Sequence, residues 1–496
     1  MGRRDLYLFR SGEFCMKQTS TSKWAILSVV TLASFITSVD STIVIIGLPK
    51  LMQGLHLSVD AGLWVITAYV VTSTVFLLPA GKWSDRVGKK HIFMGGFALF
   101  TIATILCALA GSGTALIAFR FLQGAGASMA LATATPIIMQ TFEKKELGLA
   151  ISINATSWVL GAIIGPVIGG ALIDTLGWRS IFSLTAPFAI TGVILAAFVL
   201  RPDSTQAESK MDWAGLCTFG LGLAGLMVIL SEGSGWGWFS PVVILLAVGT
   251  VVLFCLFVRI EEHAASPLFD LGLLRNRQYS TGLLIAAGYL IGFYSITFLL
   301  TIYLQGALRL DALHAGLLLI PLSVPQLVLS PFCGRLVDRI GAPVLLAVGL
   351  TAITVGLLLL GALGPDLSAP ALSGSLILVS VANSFAWPSV AKTILETAPS
   401  KQAGIASGMF FTVNYASRAV SQTFVLLLME IGVPSVLVTQ AMAGTGAAES
   451  AVQKQSLVLS ADISFRIFAL FTAASVVITL FFIRAKRKAV AIENAD

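Results

Sequence analysis

The stretch GKWSDRVGKK, residues 81–90, holds five charged residues in ten positions of a chain in which only 11% of residues are charged. It recurs as GRLVDRIGAP, residues 334–343, with each matched residue displaced by 253 positions. The matched residues are Gly81, Asp85, Arg86 and Gly88 in the first copy and Gly334, Asp338, Arg339 and Gly341 in the second. A merely solvated turn would not reappear at a fixed spacing, so the chain contains an internal duplication.

The segments around both copies are too apolar for a soluble protein. The chain has 496 residues, 56% of them hydrophobic, and a mean hydropathy of +0.92, which indicates a lipid bilayer as its solvent. Fourteen apolar runs are each long enough to cross about 30 Å of hydrocarbon as a helix. The runs are residues 24–47, 62–80, 91–110, 115–136, 147–173, 180–200, 213–231, 241–259, 280–304, 312–332, 343–363, 371–391, 403–430 and 464–483. Most contain Gly or Pro, which favours an all-α integral membrane bundle over a barrel of alternating strands.

Lysine and arginine residues are distributed unevenly between alternate connecting segments. If both termini are cytoplasmic, 24 of the 31 fall in cytoplasmic segments and only four in outer loops. This asymmetry follows the positive-inside rule for an even number of spans. We therefore predict a multi-pass protein of the plasma (inner) membrane with both termini in the cytoplasm. The net charge of +7 is then a topology signal and not a nucleic-acid-binding patch.

The duplication divides the chain into two halves and an insertion. Each motif copy follows the second helix of a six-helix half if the seventh and eighth runs are inserted between the halves. The predicted domains are residues 1–200 for the first half, 201–277 for two inserted helices with their linkers, and 278–496 for the second half and a cytoplasmic tail. Both halves enter the membrane in the same direction, and such parallel repeats bind their cargo where the halves meet.

The residue types of the repeated motif fit a short loop at the membrane edge. Gly81 and Gly88 allow a tight reversal of the chain, and the cations anchor the cytoplasmic face. A carboxylate such as Asp85 can dock on the positive N-terminus of a neighbouring helix. We expect both copies to connect consecutive helices in this way.

Two ionisable residues lie inside the apolar runs of the first half. A charged group at that depth costs at least about 2.5–3.5 kcal/mol, so it is a functional candidate. Asp40 lies about 10 Å below the expected outer end of helix one, near Gly47. Arg120 lies about 9 Å below the start of helix four, near Thr114. We hypothesise that the two are close, that Asp40 binds the coupling proton and that Arg120 adjusts its proton affinity. The alternative is that the two form a permanent pair, or cap backbone groups, and never titrate.

Polar residues recur at helical spacing in several otherwise apolar runs. Such a stripe turns one helix face away from lipid, towards a cavity or another helix. Interhelical hydrogen bonding explains a single stripe equally well, whereas several converging stripes favour a cavity. Aromatic rings beside the stripes could give a lipophilic compound its contact area. The candidate cavity residues are Ser38, Ser41, Gln123, Asn154, Tyr294, Gln326, Asn383, Trp387, Asn414, Tyr415 and Arg418.

The fifth run contains GAIIGPVIGG, residues 161–170. Gly161, Gly165 and Gly169 recur every four residues, so another helix can approach closely along this face. Pro166 removes a backbone hydrogen bond and bends the helix. A bent, closely packed helix can seal or rock at a fixed place.

Signals of other protein classes are missing. The five cysteines are scattered and the four histidines lie near membrane edges, so no metal-ligand spacing is present. No G-x-x-x-x-G-K-[ST] phosphate loop exists, and connecting segments of at most about 35 residues leave no room for an ATPase domain. No nucleophile and base share one depth. We expect no enzyme, no metal and no cofactor except the proton as coupling ion; a membrane-embedded enzyme or a receptor is a remote alternative.

Motifs along nearly the whole chain resemble those of the major facilitator superfamily, and within it the fourteen-helix drug:proton antiporters. VDSTIVIIGLP (39–49) resembles that branch's first-helix signature, and residues 81–90 resemble the superfamily's loop motif. RFLQGAGAS (120–128) is similar to its fourth-helix motif, and GAIIGPVIGG to the fifth-helix motif of exporters. WRSIF (178–182) and the segment from MDWAGLCTFG to SGWGW (211–238) resemble the region of the two extra helices. The second half has no intact copy of the fourth- and fifth-helix motifs.

The resemblance implies two six-helix halves with two extra central helices. It also implies proton-coupled antiport by alternating access, which exports small amphipathic or lipophilic compounds as in multidrug efflux and antibiotic resistance. The alternative is export of an endogenous metabolite or lipid. Expected partners are membrane lipids and a small-molecule substrate, for which a cationic charge is one option because Asp40 is the one acid clearly inside a run. In a bacterium with two membranes, a periplasmic adaptor is a further possible partner.

Overall fold

The chain is helical almost throughout the residues that the structure describes. The structure is a computed structural model, and it describes residues 20–200, 212–264, 271–366, 368–398, 403–434, 437–438 and 451–493. In chain order the helices are α1 (Ser20–Leu55), α2 (Val59–Val87), α3 (Lys89–Leu109), α4 (Gly113–Thr141), α5 (Lys144–Leu176), α6 (Ser180–Val199), α7 (Trp213–Trp236), α8 (Pro241–His263), α9 (Leu271–Arg275), α10 (Arg277–Thr301), α11 (Ala312–Leu319), α12 (Val324–Ile340), α13 (Ala342–Leu360), α14 (Ala369–Leu395), α15 (Ala403–Gly432) and α16 (Ala451–Glu493). A π-helical turn (Ile302–Ala307) extends α10, and a 3₁₀ turn (Ile320–Leu322) joins α11 to α12.

The helices have the length and composition of a membrane bundle. Within the described part of the chain, eleven helices are long and apolar enough to cross a membrane, and two apolar segments, Ala61–Leu77 and Trp213–Ile229, are shorter. Together with α15, which carries the polar stripe around Arg418, they correspond to the fourteen apolar runs. The all-α membrane fold predicted from the sequence is therefore confirmed.

Some helices extend beyond the apolar runs that predicted them. α1 continues past the expected end at residue 47 to Leu55, and it stops where His56 adopts a left-handed φ of 51°. α16 begins at Ala451 instead of residue 464. Hydropathy marks the part of a helix that lies in hydrocarbon, whereas helical hydrogen bonding continues until a residue leaves the helical conformation.

The helices of the two halves pack in the same pattern. In the first half α1 contacts α5 and α6, α4 contacts α2 and α3, and α3 contacts α6. In the second half α10 contacts α15 and α16, α14 contacts α12 and α13, and α13 contacts α16. The pairs correspond one to one if α11 and α12 count as a single broken span. The predicted domain boundaries and cytoplasmic termini stay predictions, and residues 1–19, 201–211 and 494–496 lie outside the described part.

The repeated motif has the same backbone geometry in both copies. Gly88, between α2 and α3, has φ 101° and ψ 137°, and Gly341, between α12 and α13, has φ 99° and ψ 132°. Glycine alone adopts this region readily. Gly81 takes no part in the reversal, because α2 continues through it to Val87; the prediction of a turn at Gly81 is therefore wrong. We call the end of the bundle that carries Gly88 and Gly341 the motif end, and the other the opposite end.

The charged residues of the motif lie at the ends of helices. Arg86 and Arg339 occupy the last turns of α2 and α12, and both side chains are exposed. Asp85 and Asp338 precede them on the same helices, but their side chains lie outside the described part of the structure. The predicted docking role of these carboxylates stays a prediction.

Replacing Gly88 with Ala should destabilise the protein by about 1–3 kcal/mol, because the new side chain is held in a backbone region that suits only glycine. Gly341→Ala should have a similar effect, since its backbone angles are nearly the same. Gly81→Ala is the matched control: a Cβ there meets nothing within 4 Å, and Ala favours a helix by up to about 1 kcal/mol. Thermal unfolding of detergent-purified variants measures the difference, and a Gly81 variant that melts as early as the Gly88 variant would contradict the assigned turn.

A helical hairpin, α7 and α8, lies between the two halves in sequence and packs at their boundary. The two helices pack on each other through Phe219, whose ring centroid is 5.2 Å from that of Phe257. α7 contacts α2 of the first half and α15 of the second. The ring of Trp213 at its start lies 6.0 Å from that of Trp83. Most side chains of α8 are exposed on the surface of the bundle, as expected of a helix that faces lipid.

Candidate functional site

A buried ion pair joins α1 to α4. Arg120 Nη1 donates to Asp40 Oδ2 over 2.7 Å, and the two side chains are 1% and 0% exposed. Both residues were singled out in the sequence as ionisable groups at one membrane depth. The predicted depth of Asp40 below the outer end of its helix is wrong, because α1 does not end near Gly47 but continues to Leu55. The end of α1 therefore reaches further out than the start of α4.

Polar neighbours make further hydrogen bonds with both members of the pair. Gln123 Nε2 donates to Asp40 Oδ1 over 2.9 Å and to Thr104 Oγ1 over 2.8 Å, while its Oε1 accepts from Arg120 Nη1 over 2.6 Å. Arg120 Nε donates to the carbonyl of Val65 over 2.9 Å. Buried charges are tolerated when they are both paired and hydrogen-bonded, as they are in this group. We call these five residues the ion-pair cluster.

The ring of Tyr69 packs on the ion-pair cluster, and Gln123 belongs to this cluster. The guanidinium carbon of Arg120 lies 4.4 Å from the ring centroid of Tyr69, a cation–π contact on α2. Gln123 was predicted to line the substrate cavity, but it is fully buried against the ion pair. Its spacing of three residues from Arg120, which puts both on one helix face, is the signal that could have assigned it here.

A second polar group lies where α1, α10 and α15 meet, between the two halves. Arg418 Nη2 donates to the carbonyl oxygen of Ser41 over 3.3 Å, and its guanidinium carbon lies 5.7 Å from the ring centroid of Tyr294. Tyr294 in turn donates from its hydroxyl to Asn414 Oδ1 over 3.2 Å. Tyr415, which follows Asn414 in the chain, is also buried. We call these five residues the arginine cluster. It adjoins the ion-pair cluster, because Ser41 directly follows Asp40 in the chain.

The other predicted cavity residues are placed in different environments. Ser38 Oγ donates to the carbonyl of Trp158, which links α1 to α5, and Asn383 Oδ1 accepts from the hydroxyl of Tyr289, which links α14 to α10. These two contacts fit the alternative of interhelical hydrogen bonding. The remaining three are Trp387, whose ring lies 5.6 Å from that of Phe410, Gln326, whose backbone N–H donates to Ser380 Oγ over 3.1 Å, and Asn154, whose buried Oδ1 has no hydrogen-bond partner among the described residues.

The glycines of α5 face α1 within the same half. A Cβ added to Gly161 would lie 2.7 Å from Ser38 Cβ, and one added to Gly169 would lie 2.1 Å from Ile43 Cγ1. Gly165 approaches α1 between them, with Thr42 Oγ1 2.2 Å from an added Cβ. The close approach that the glycine spacing predicts is therefore made to α1.

The neighbouring face of α5 meets the other half at the opposite end of the bundle. A Cβ added to Gly170 would lie 2.6 Å from the carbonyl oxygen of Ala312, and one added to Gly316 would lie 2.5 Å from that of Pro166. The backbone N–H of Leu313 donates to Asp174 Oδ2 over 3.2 Å. We call this contact the α5–α11 seam. Gly170 was not singled out from the sequence, although it lies on the face of Pro166, four residues away.

Two further contacts stabilise the opposite end. Gln305 Nε2, in the π-helical turn, donates to the carbonyl of Ile46 over 3.2 Å and so joins α10 to α1. Asp311 is the N-cap of α11, and its Oδ1 accepts from the backbone N–H of His314 over 2.7 Å. That hydrogen bond, with the His314 side chain and the charge of Lys50, lowers the pKa of Asp311 below its usual value. The cap is therefore ionised at neutral pH and is lost only as the pH falls through this lowered pKa.

No group of three or more His, Cys, Asp or Glu side chains that could hold a metal ion occurs in the part of the chain that the structure describes. The arrangement consists of a charged pair buried inside one half, a cation between the halves, and a glycine-mediated contact that closes one end.

Comparisons with known proteins agree with this architecture. Residues 30–422 match the model of the Major Facilitator Superfamily. Multidrug resistance protein Stp of Mycobacterium tuberculosis is 29% identical over 398 residues, which cover 79% of this chain and 72% of that protein. The riboflavin transporter RibZ of Clostridioides difficile is 27% identical over 404 residues, covering 81% of this chain and 87% of RibZ. A bacterial homologue of the human lysosomal transporter Spinster, solved in an inward-facing and unoccupied conformation, has a TM-score of 0.65 at 14% identity and covers 94% of this chain and 98% of its own.

Proposed function

The chain belongs to the Major Facilitator Superfamily of membrane transporters, and from this premise we propose that it exports small amphipathic or lipophilic compounds in exchange for protons. The observation that carries the proposal is the Asp40–Arg120 pair, which is almost completely buried in a span predicted to cross the membrane. An acid at this depth costs free energy, so its presence indicates a function. A carboxylate that exchanges its proton is the simplest such function in a transporter.

The contacts of α1 suggest how proton binding reaches the rest of the molecule. A proton on Asp40 cancels its charge and weakens its attraction to Arg120, so α1 is held less tightly to α4. α1 also packs on the glycine face of α5, and α5 carries one side of the α5–α11 seam. One chain of packed helices therefore joins the proton site to the contact between the halves, as alternating access requires.

The membrane orientation is part of the proposal. The distribution of Lys and Arg supports an orientation with the motif end in the cytoplasm and the protein in the plasma membrane. With the α5–α11 seam closed at the opposite end, a substrate enters from the cytoplasmic side and leaves after the seam opens. In a bacterium with two membranes, an adaptor protein could carry the substrate onward.

Two relatives favour two substrate classes. The name of Stp describes multidrug resistance, and this supports export of assorted lipophilic compounds. The name of RibZ describes riboflavin transport, and this supports one endogenous metabolite as the second candidate. Comparing the metabolites retained by a deletion strain with its sensitivity to toxic compounds separates the two.

Transport by everted vesicles tests the proposal. Vesicles containing the protein should accumulate a fluorescent lipophilic dye against its gradient when respiration acidifies their interior. Accumulation should stop when an ionophore collapses the proton gradient and the membrane potential, and vesicles without the protein provide the background. Uphill transport that is the same with and without these gradients would contradict proton coupling.

A further inference from the structure

The arginine cluster contains a cation without a carboxylate partner in the described structure. Arg418 is only partly buried, and no Asp or Glu among the described residues lies within salt-bridge distance of it. Its one hydrogen bond to a described residue, the carbonyl of Ser41, is 3.3 Å long, beyond the usual range for an N–H donor. A guanidinium has five N–H donors, so most of the hydrogen-bonding capacity of Arg418 is open to a ligand.

The neighbouring charges leave the region between the halves positive. Asp40, the nearest acid on α1, is occupied by Arg120 and Gln123. The ring of Tyr294 faces Arg418, and a tyrosine side chain carries no charge at neutral pH. An unpaired guanidinium at membrane depth is unfavourable, and an anion bound to it removes that penalty.

Aromatic side chains continue from this cation along α15. Phe411, Tyr415 and Arg418 are spaced by four and three residues, so they lie on one face of the helix. The ring of Phe411 lies 5.5 Å from that of Phe410, which in turn lies 5.6 Å from that of Trp387 on α14. A ligand with an acidic group on Arg418 would therefore have aromatic rings beside its apolar body.

We propose that the site between the halves selects amphipathic organic anions, with the carboxylate, sulfonate or phosphate group of the substrate bound by the Arg418 guanidinium. The planar guanidinium matches such groups in a two-point geometry that an ammonium cannot reproduce. This inference rests on the proposed function and names its substrate class. It excludes a preference for cations, which would be repelled by a positive site that has no free acid among the described residues.

The test uses three probes that share a pyrene ring and differ in charge: 1-pyrenebutyrate, 1-pyrenebutanol and 1-pyrenebutylamine. Binding is measured by fluorescence with the full chain in phosphatidylcholine nanodiscs, and export is measured with the same probes in everted vesicles. We expect the butyrate to bind most tightly. Arg418→Gln should weaken butyrate binding by about tenfold or more and leave butanol binding nearly unchanged. Arg418→Lys should keep part of the preference, and Arg418→Glu should reverse it in favour of the amine.

Arg275→Gln is the matched control, because it removes one arginine whose side chain is 82% exposed and far in sequence from the cluster. It should leave all three affinities unchanged. Nanodiscs with added phosphatidylglycerol should give the same butyrate affinity; competition by that lipid would assign the site to an anionic headgroup and overturn the proposal.

The inference and the proposed function fail in different ways. Equal butyrate binding by wild type and Arg418→Gln, or tighter binding of the amine by wild type, would overturn the anion site even if export remained proton-driven. Selective butyrate binding that depends on Arg418 would support the site even if no probe moved in response to the proton gradient. That second result would count against proton-coupled export alone.

Discussion

Replacing Asp40 with Asn is expected to abolish proton-driven export, down to the level of vesicles without the protein. Asn is nearly the same size as Asp, but its single amide oxygen replaces only one of the two carboxylate oxygens that accept from Arg120 and Gln123, and it cannot bind and release a proton in the physiological range. Downhill exchange of substrate between the two sides, which needs no proton, should continue. The measurement compares uphill accumulation with downhill exchange for the same probe and the same amount of protein.

The single substitution also leaves Arg120 as an uncompensated buried charge, which can cost about 3–5 kcal/mol of stability. The double variant Asp40→Asn/Arg120→Gln removes both charges and serves as the control. A merely structural pair predicts that the double variant regains stability and uphill export together. A proton site predicts that it regains stability alone. Asp40→Glu, which keeps an acid, should retain part of the coupling.

Replacing Gly170 with Ala is expected to open the contact at the opposite end and slow transport by about tenfold or more. The new Cβ would lie 2.6 Å from the backbone carbonyl of Ala312, so the two halves must separate there. Overpacking of this kind costs about 1–3 kcal/mol, and here only the state with a closed α5–α11 seam is penalised.

Spin-label distances at both ends of the bundle measure this shift. Leu176 and Ile431 are exposed at the opposite end, and Val87 and Ile340 are exposed at equivalent positions of the motif end. Gly170→Ala should lengthen the first distance and shorten the second. Gly161→Ala is the matched control, because its clash with α1 lies within one half and should reduce stability without changing either distance. Unchanged distances in the Gly170 variant would rule out the seam as a gate.

The pairing of Asp40 with Arg120 could be anticipated, because few charges occur in the apolar runs and a buried charge needs a partner. The duplication could also be recognised from the sequence. In the structure its two copies have nearly equal backbone angles at Gly88 and Gly341. Gly81 was misassigned because a change in hydropathy marks the edge of the lipid and not the end of a helix. A helix that leaves the membrane keeps its own hydrogen bonds in water.

The partners of most polar stripes could not be obtained from the sequence. A spacing of three or four residues shows that side chains share a helix face, but it does not show which neighbouring helix that face meets. Ser38 therefore lies against Trp158 on α5, whereas Ser41, three residues later, lies on the side that reaches Arg418. The same limit applies to α5, where Gly169 meets α1 and the adjacent Gly170 meets α11.

The α7–α8 hairpin makes the two sides of the molecule unequal towards the bilayer. α7 touches both α2 and α15, so it covers the line where these helices of different halves run together. On the other side α5 and α11 meet without such a cover in the described residues. A lipophilic molecule that diffuses sideways from a leaflet therefore meets α7 at the boundary between α2 and α15. At the boundary between α5 and α11 it meets no covering helix in the described residues. Any lateral uptake from the lipid is expected to be one-sided.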